Sequence, residues 1–114
     1  MKLWLDDYRR PPFGFDWVKT ADDAIKALST GKYTTVSLDH DLCEAHYAGL
    51  PTSVKTGYDV VRWMVQNHVW PQLVMVHSMS PSGVDRMLSL LTSCAPGNVT
   101  VRRVVPADIH STGL

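Results

Sequence analysis

Residues 73–83 read Leu-Val-Met-Val-His-Ser-Met-Ser-Pro-Ser-Gly, and the fold turns on how they are read. Leu73 to Val76 is an unbroken apolar run, too short for a helix and without a polar face. It suits a strand buried on both sides in a parallel sheet. His77 and Ser78 interrupt it. Ser80 then offers an N-cap hydroxyl, and Pro81 takes the first helical position, where a missing N–H and a fixed φ cost nothing. Val84, Met87, Leu88 and Leu91 follow at helical spacing. The unit is strand, polar corner, helix.

The same unit recurs upstream. Thr34 to Leu38 is β-branched and apolar, and it ends at Asp39-His40-Asp41. Residues 43–55 lack periodicity, a loop of the length that usually carries function. A helix is predicted from Gly57 to Val69, with Val61, Met64, Val65 and His68 on one side. At the amino end, Lys2 to Leu5 is a short strand stopping at Asp6-Asp7. Tyr8 to Asp16 holds Pro11, Pro12 and Gly14 and reads as loop. Trp17 to Lys19 is a second short strand. Thr20 with Asp23 three residues on is a capping-box variant. Ala21, Ala24, Ile25 and Leu28 continue that helix, and Gly31 stops it. Downstream, Val99 to Val105 is the last strand, and Pro106 to Leu114 is a polar tail. Strands alternating with helices predict an α/β fold with a parallel sheet, as one domain over residues 1–114.

Composition narrows the function. Eleven basic and eleven acidic residues cancel in 114, which removes the charge argument for an extended nucleic-acid or membrane-surface partner. A small ligand remains compatible. The opening MKLWLDDYRR lacks the apolar run of a secretory signal, and no stretch reaches the length of a membrane span. Cys43 and Cys94 fit no metal-binding spacing, and two free thiols suit a reducing cytoplasm. Each is expected to act as a small buried hydrophobe, although Cys43 could be reactive.

Chemistry gathers where strands end. In open parallel sheets, ligands bind outside the carboxyl ends of the strands. Asp6-Asp7, Asp39-His40-Asp41 and His77-Ser78 all belong to that edge. Asp6, Asp7 and Asp39 cannot all ionise together without a cation or a proton, and oxygen-only ligands suit Mg²⁺ or Mn²⁺. The competing reading has Asp6-Asp7 pairing with Arg9 or Arg10 at a strand end. His40 and His77 are candidates for general acid and base, because an imidazole changes charge near neutral pH. A lone histidine more often packs or bonds a loop carbonyl; the pair makes the case. His46 and His110 have no such setting, and His68 reads as helix packing. Arg9 and Arg10 could clamp a phosphate, with Ser78, Ser80 and the helix starts at Thr56-Gly57 and Ser80 adding donors. Tyr8, Tyr47, Tyr58 and Trp17 could stack a base, although such residues are more often packing.

An acidic pair after the first strand and an Asp after the third resemble a response-regulator receiver domain. In that family the carboxylates hold Mg²⁺ and the third-strand Asp takes a phosphoryl group. Ser78 stands where a receiver has its switch hydroxyl, but the last strand, VTVRRVV, lacks the receiver's lysine. A fuller resemblance runs through LWLDDYRRPP, WVKTADDAI, VSLDHDL, TGYDVV and VHSMSPSG, in that order. These are similar to the receiver-like family described as cyclic-phosphate processing, with Ser80 in place of an Asn. The resemblance implies a receiver-like (flavodoxin-like) three-layer sandwich. Its five-stranded sheet would have the order 2-1-3-4-5, with a reduced helix complement. Together with the site residues it implies metal-assisted hydrolysis of a cyclic phosphate in a nucleotide or RNA end. Sequestration of a cyclic nucleotide and a degenerate receiver serving as an interaction domain stand as alternatives.

Overall fold

The computed structural model describes residues 1–105; the polar tail expected over 106–114, with His110, lies outside the described residues. The elements are β1 (Lys2–Leu5), β2 (Phe15–Val18), α1 (Ala21–Leu28), β3 (Thr35–Leu38), α2 (Glu44–Tyr47), α3 (Gly57–Asn67), β4 (Leu73–Val76), α4 (Pro81–Cys94) and β5 (Thr100–Arg103). All four strand pairings are parallel, in the order β2-β1-β3-β4-β5. This is the predicted sheet. The chain forms a receiver-like α/β fold.

Local chemistry sets the boundaries. The Thr20 hydroxyl accepts from the N–H of Asp23, and that of Ser80 accepts from Gly83, so both expected caps form. Strand β2 begins earlier than the sequence suggested, because pairing with β1 starts at Lys2 opposite Phe15. Helix α3 ends at Asn67: His68 takes a left-handed φ of 54°, and the N–H of Val69 bonds the Met64 carbonyl. His68 is therefore an exposed helix cap and not the packing residue expected. Cys94 is exposed and Cys43 half-buried, so neither is the buried hydrophobe expected.

The two faces of the sheet differ. Leu3, Leu5, Val36, Leu38, Val74 and Val76 join Ala24, Leu28, Val60, Val61, Met64, Val84, Met87 and Leu91 in one core. Helix α1 packs on α3, and α3 on α4, so these helices share that face. The opposite face carries Trp4, Ser37 and Met75 in register. The link from β1 to β2 is a loop here, and the Trp4 Nε1–H is tied to the carbonyl of Arg9 at 2.8 Å. The reduction in helices falls on this side. A fully buried Leu or Val contributes about 1.5–3 kcal/mol, against about 1 kcal/mol for an ordinary hydrogen bond. The helix-covered face therefore holds the fold, leaving the other free to carry polar groups.

Register builds the site. Leu5, Leu38 and Val76 lie side by side, so Asp6, Asp39 and His77 form the next row, on the face opposite the core. Their backbones are still held by the ladder: Asp6 N–H to Val18, Asp39 N–H to Leu5 and His77 N–H to Leu38, at 3.1, 2.9 and 3.0 Å. Among the described residues no helix is long and apolar enough to cross a membrane.

Candidate active site

Asp6 and Asp39 are buried and Asp7 is half-buried, and each offers a carboxylate oxygen within 4.8 Å of the other two. Five of their six oxygens have a defined neighbour among the described residues. Asp6 Oδ1 accepts from the N–H groups of Tyr8 and Arg9, both at 2.8 Å, and so shapes the turn that follows it. Asp6 Oδ2 lies 3.0 Å from His77 Nε2. Asp7 Oδ1 accepts from the Tyr47 hydroxyl at 2.7 Å, and Asp39 Oδ1 from the His40 N–H at 2.9 Å. The Arg9 Nη1 reaches both Asp6 Oδ2 (3.3 Å) and Asp39 Oδ2 (3.4 Å).

Burial, and then the Asp6 charge, push the Asp39 carboxyl up to about 7, against the pull of Arg9, the Ser78 hydroxyl and the His40 N–H. Asp6 goes the other way. Burial would raise it, but the hydrogen bond from His77 and those from the Arg9 and Tyr8 backbone hold it below the usual carboxylate range. The cluster thus holds more carboxylate than its one arginine neutralises. An oxygen-only set with surplus negative charge fits a hard divalent cation such as Mg²⁺ or Mn²⁺.

His77 is completely buried. Its Nδ1 is 2.7 Å from the Ser37 Oγ, and its ring stacks on Trp4 at 3.8 Å between centroids. Burial lowers its pKa despite the neighbouring Asp6. The neutral ring with Nε2–H donating to Asp6 and Nδ1 accepting from Ser37 satisfies every group. The expected exchange of a proton between His77 and a ligand is therefore corrected: both nitrogens are engaged inside the protein, and His77 positions Asp6. The Ser37-His77-Asp6 chain is no hydrolytic triad either, because Ser37 is as buried as its partners.

His40 is placed differently. Its Nδ1 bonds the Asp41 Oδ1 at 2.8 Å. Its Nε2 has no hydrogen-bond partner among the described residues, and its ring lies against Gly83, where a Cβ would collide with it. A cavity of about 490 Å³ is lined by His40, Arg9, Asp39, Asp41, Ser78 and Ser80, with part of the long loop closing one side. That loop contains α2, which the sequence did not reveal. His46 clasps it: Nδ1 accepts from the Leu42 N–H at 2.8 Å, and Nε2 bonds the Val54 carbonyl at 2.9 Å. His46, which lines the cavity, was thus missed as a site residue, and Tyr47, singled out only for stacking a base, lines the cavity with its hydroxyl on Asp7. A loop contact across forty positions leaves no periodic signal.

Three expected phosphate ligands are elsewhere. The Thr56 hydroxyl accepts from the Tyr58 N–H, and the Thr56 N–H bonds Asp59, which completes a capping box. The Gly57 N–H is spent on the His40 carbonyl, and a Cβ there would strike the Asp39 carbonyl. Gly57 allows a close approach of backbones; it is not a phosphate donor. Arg10 is exposed and does not line the cavity. Of the aromatic candidates, Tyr58 lies under Arg86, Trp17 donates to the Asp6 carbonyl at 2.6 Å, and Tyr8 projects into solvent.

A family model described as the cyclic-phosphate processing receiver domain matches residues 1–93. The chain belongs to that family. This cyclic-phosphate processing receiver domain is also similar in fold to the signal receiver domain of a Luxo repressor protein from Vibrio parahaemolyticus. The similarity has a TM-score of 0.60 at 17% identity and covers 97% of this chain and 84% of that one. No curated protein sequence matches the chain. At that identity the structural likeness concerns the fold alone, and the family is given by the sequence match.

Proposed function

We propose that this domain binds the cyclic phosphate of a nucleotide or RNA end and opens the ring with water, its phosphate placed beside Asp6, Asp7 and Asp39. The supporting observation is their convergence beside a cavity of about 490 Å³ that Asp39 and His40 line, a volume in the range of small-ligand sites. A divalent cation held by the three carboxylates would supply positive charge for a phosphoryl oxygen. Arg9 and Ser78 would hold the remaining phosphate oxygens. His40, with Nδ1–H directed to Asp41, has a buried Nε2 without a partner among the described residues; a turn of its ring toward the cavity would let that lone pair take a proton from water as it attacks phosphorus. The ring P–O bond breaks, and the departing oxygen takes up the proton that His40 received. One water is consumed, and a phosphomonoester is the product.

Sequestration without cleavage is a second reading, and the burial of His77 favours it by removing one of the two expected proton carriers. Product formation from 2′,3′- and 3′,5′-cyclic nucleotides, measured beside calorimetric affinities for the same compounds, separates the two. The hydrolase reading expects turnover that His40→Gln lowers about a hundredfold or more, with a much smaller effect on affinity. Tight binding with the intact ligand recovered after long incubation would establish sequestration instead.

A further inference from the structure

Arg9 stands among the carboxylates where a metal ion would have to sit. A single nitrogen, Nη1, contacts both Asp6 Oδ2 and Asp39 Oδ2, at 3.3 and 3.4 Å. Neither contact is the short, two-pronged pairing that makes arginine–carboxylate bonds strong. The backbone of the same residue is fixed more firmly. Its N–H bonds the Asp6 Oδ1 at 2.8 Å, and its carbonyl accepts from the Trp4 Nε1–H at 2.8 Å. The side chain is 29% exposed and lines the cavity with His40 and Ser78. Arg9 is thus a cation on a fixed anchor with a loosely held head.

We infer that Arg9 is a built-in counter-ion for the carboxylate trio, which a divalent cation displaces into the cavity, where the guanidinium meets the phosphate. The inference rests on the cation reading of the site given above and adds an order of events. A guanidinium and a divalent ion repel each other and compete for the same Asp6 and Asp39 oxygens. Released from them, the guanidinium of an anchored residue can turn only into the space its side chain already borders. Metal and phosphate then favour each other's binding, and by linkage the coupling is the same in both directions. No backbone movement is required.

Calorimetric titration with Mg²⁺ or Mn²⁺ alone, and with inorganic phosphate in the presence and absence of metal, tests this on the parent protein, Arg9→Gln and Arg9→Lys. The Gln variant lacks the internal cation and should bind metal at least about tenfold more tightly, while its phosphate affinity in saturating metal falls at least about tenfold. The Lys variant keeps a positive charge and should bind metal nearly as the parent does. In the parent, the Arg9 side-chain NMR resonance should move as metal is added, a readout that needs no variant to fold. Equal or weaker metal binding by Arg9→Gln would overturn the inference while leaving the metal site standing. So would an Arg9 resonance that stays still to saturation, or parent phosphate affinity indifferent to metal. Failure of all three proteins to bind metal would remove the metal site and the inference together.

Discussion

His77 shows how far one residue can be read without coordinates. Its position at the end of an apolar run was legible, and so was its place beside Asp6 and Asp39, because strand ends converge in a parallel sheet. Its orientation was not. Alternation places it on the face opposite the core, and whether that face is open depends on Trp4, Ser37 and the β1–β2 loop, none of them near it in sequence. The result is a stacked imidazole bonded on both sides. His77→Phe keeps the stack and removes both bonds, leaving Ser37 and Asp6 without their partner. The expected cost is about 2–4 kcal/mol of stability, read by urea denaturation, with weakened Mg²⁺ binding from a less constrained Asp6. An unchanged midpoint would show that the buried chain contributes nothing. Asp39→Asn should leave the fold intact and abolish stabilisation by Mg²⁺, read as a thermal shift; identical Mg²⁺ titrations of variant and parent would defeat the metal assignment.

Between elements, contacts that join distant segments were the ones hidden from the sequence. Caps at Thr20 and Ser80 were legible because each motif is complete within four residues. The role of Gly57 was not. It looked like a phosphate-binding helix start, but its missing side chain serves the approach of α3 to the Asp39 backbone. Gly57→Ala is expected to cost about 3 kcal/mol or more, measured by denaturation, since the obstruction is backbone and cannot rotate away. In the loop from Asp41 to Lys55, His46 clasps Leu42 to Val54, while Tyr47 on Asp7 and Lys55 on Asp22 tie the loop to the rest of the chain. If a ligand fills the cavity beneath it, amide exchange between Cys43 and Lys55 should slow. Exchange unchanged at saturating ligand would mean that the loop does not close on what binds there.

For the molecule as a whole, strand order was the most legible feature, because alternating elements and the run of motifs leave few topologies. The unequal faces were not legible, since nothing local shows that the link from β1 to β2 covers the sheet without a helix. Charge in the site also has a global consequence. Folded Asp39 holds its proton up to about 7, against 3.8 as its ordinary value. The folded state therefore binds the extra proton, and the stability this contributes is complete below 3.8 and lost as pH rises through about 7. His77 works in the opposite sense, but only below 6.5, where the unfolded chain takes a proton that the buried ring refuses. Metal-free protein should therefore lose Tm from about pH 6.5 to about pH 8, with Mg²⁺ restoring it most at the upper end. Asp39→Asn should flatten that part of the profile. A larger Mg²⁺ effect at the acid end would contradict the assignment.

The row formed by Asp6, Asp39 and His77 also makes the site an auditor of folding. It exists because β1, β3 and β4 stop at one level. A slip of one residue in a strand would turn that strand's member of the row to the opposite face. A misregistered molecule would then keep its composition and much of its helix signal while losing the carboxylate cluster. If the cluster holds a metal ion as proposed, the stoichiometry of metal binding in a refolded preparation would count correctly threaded sheets, a census that far-ultraviolet spectroscopy could not take.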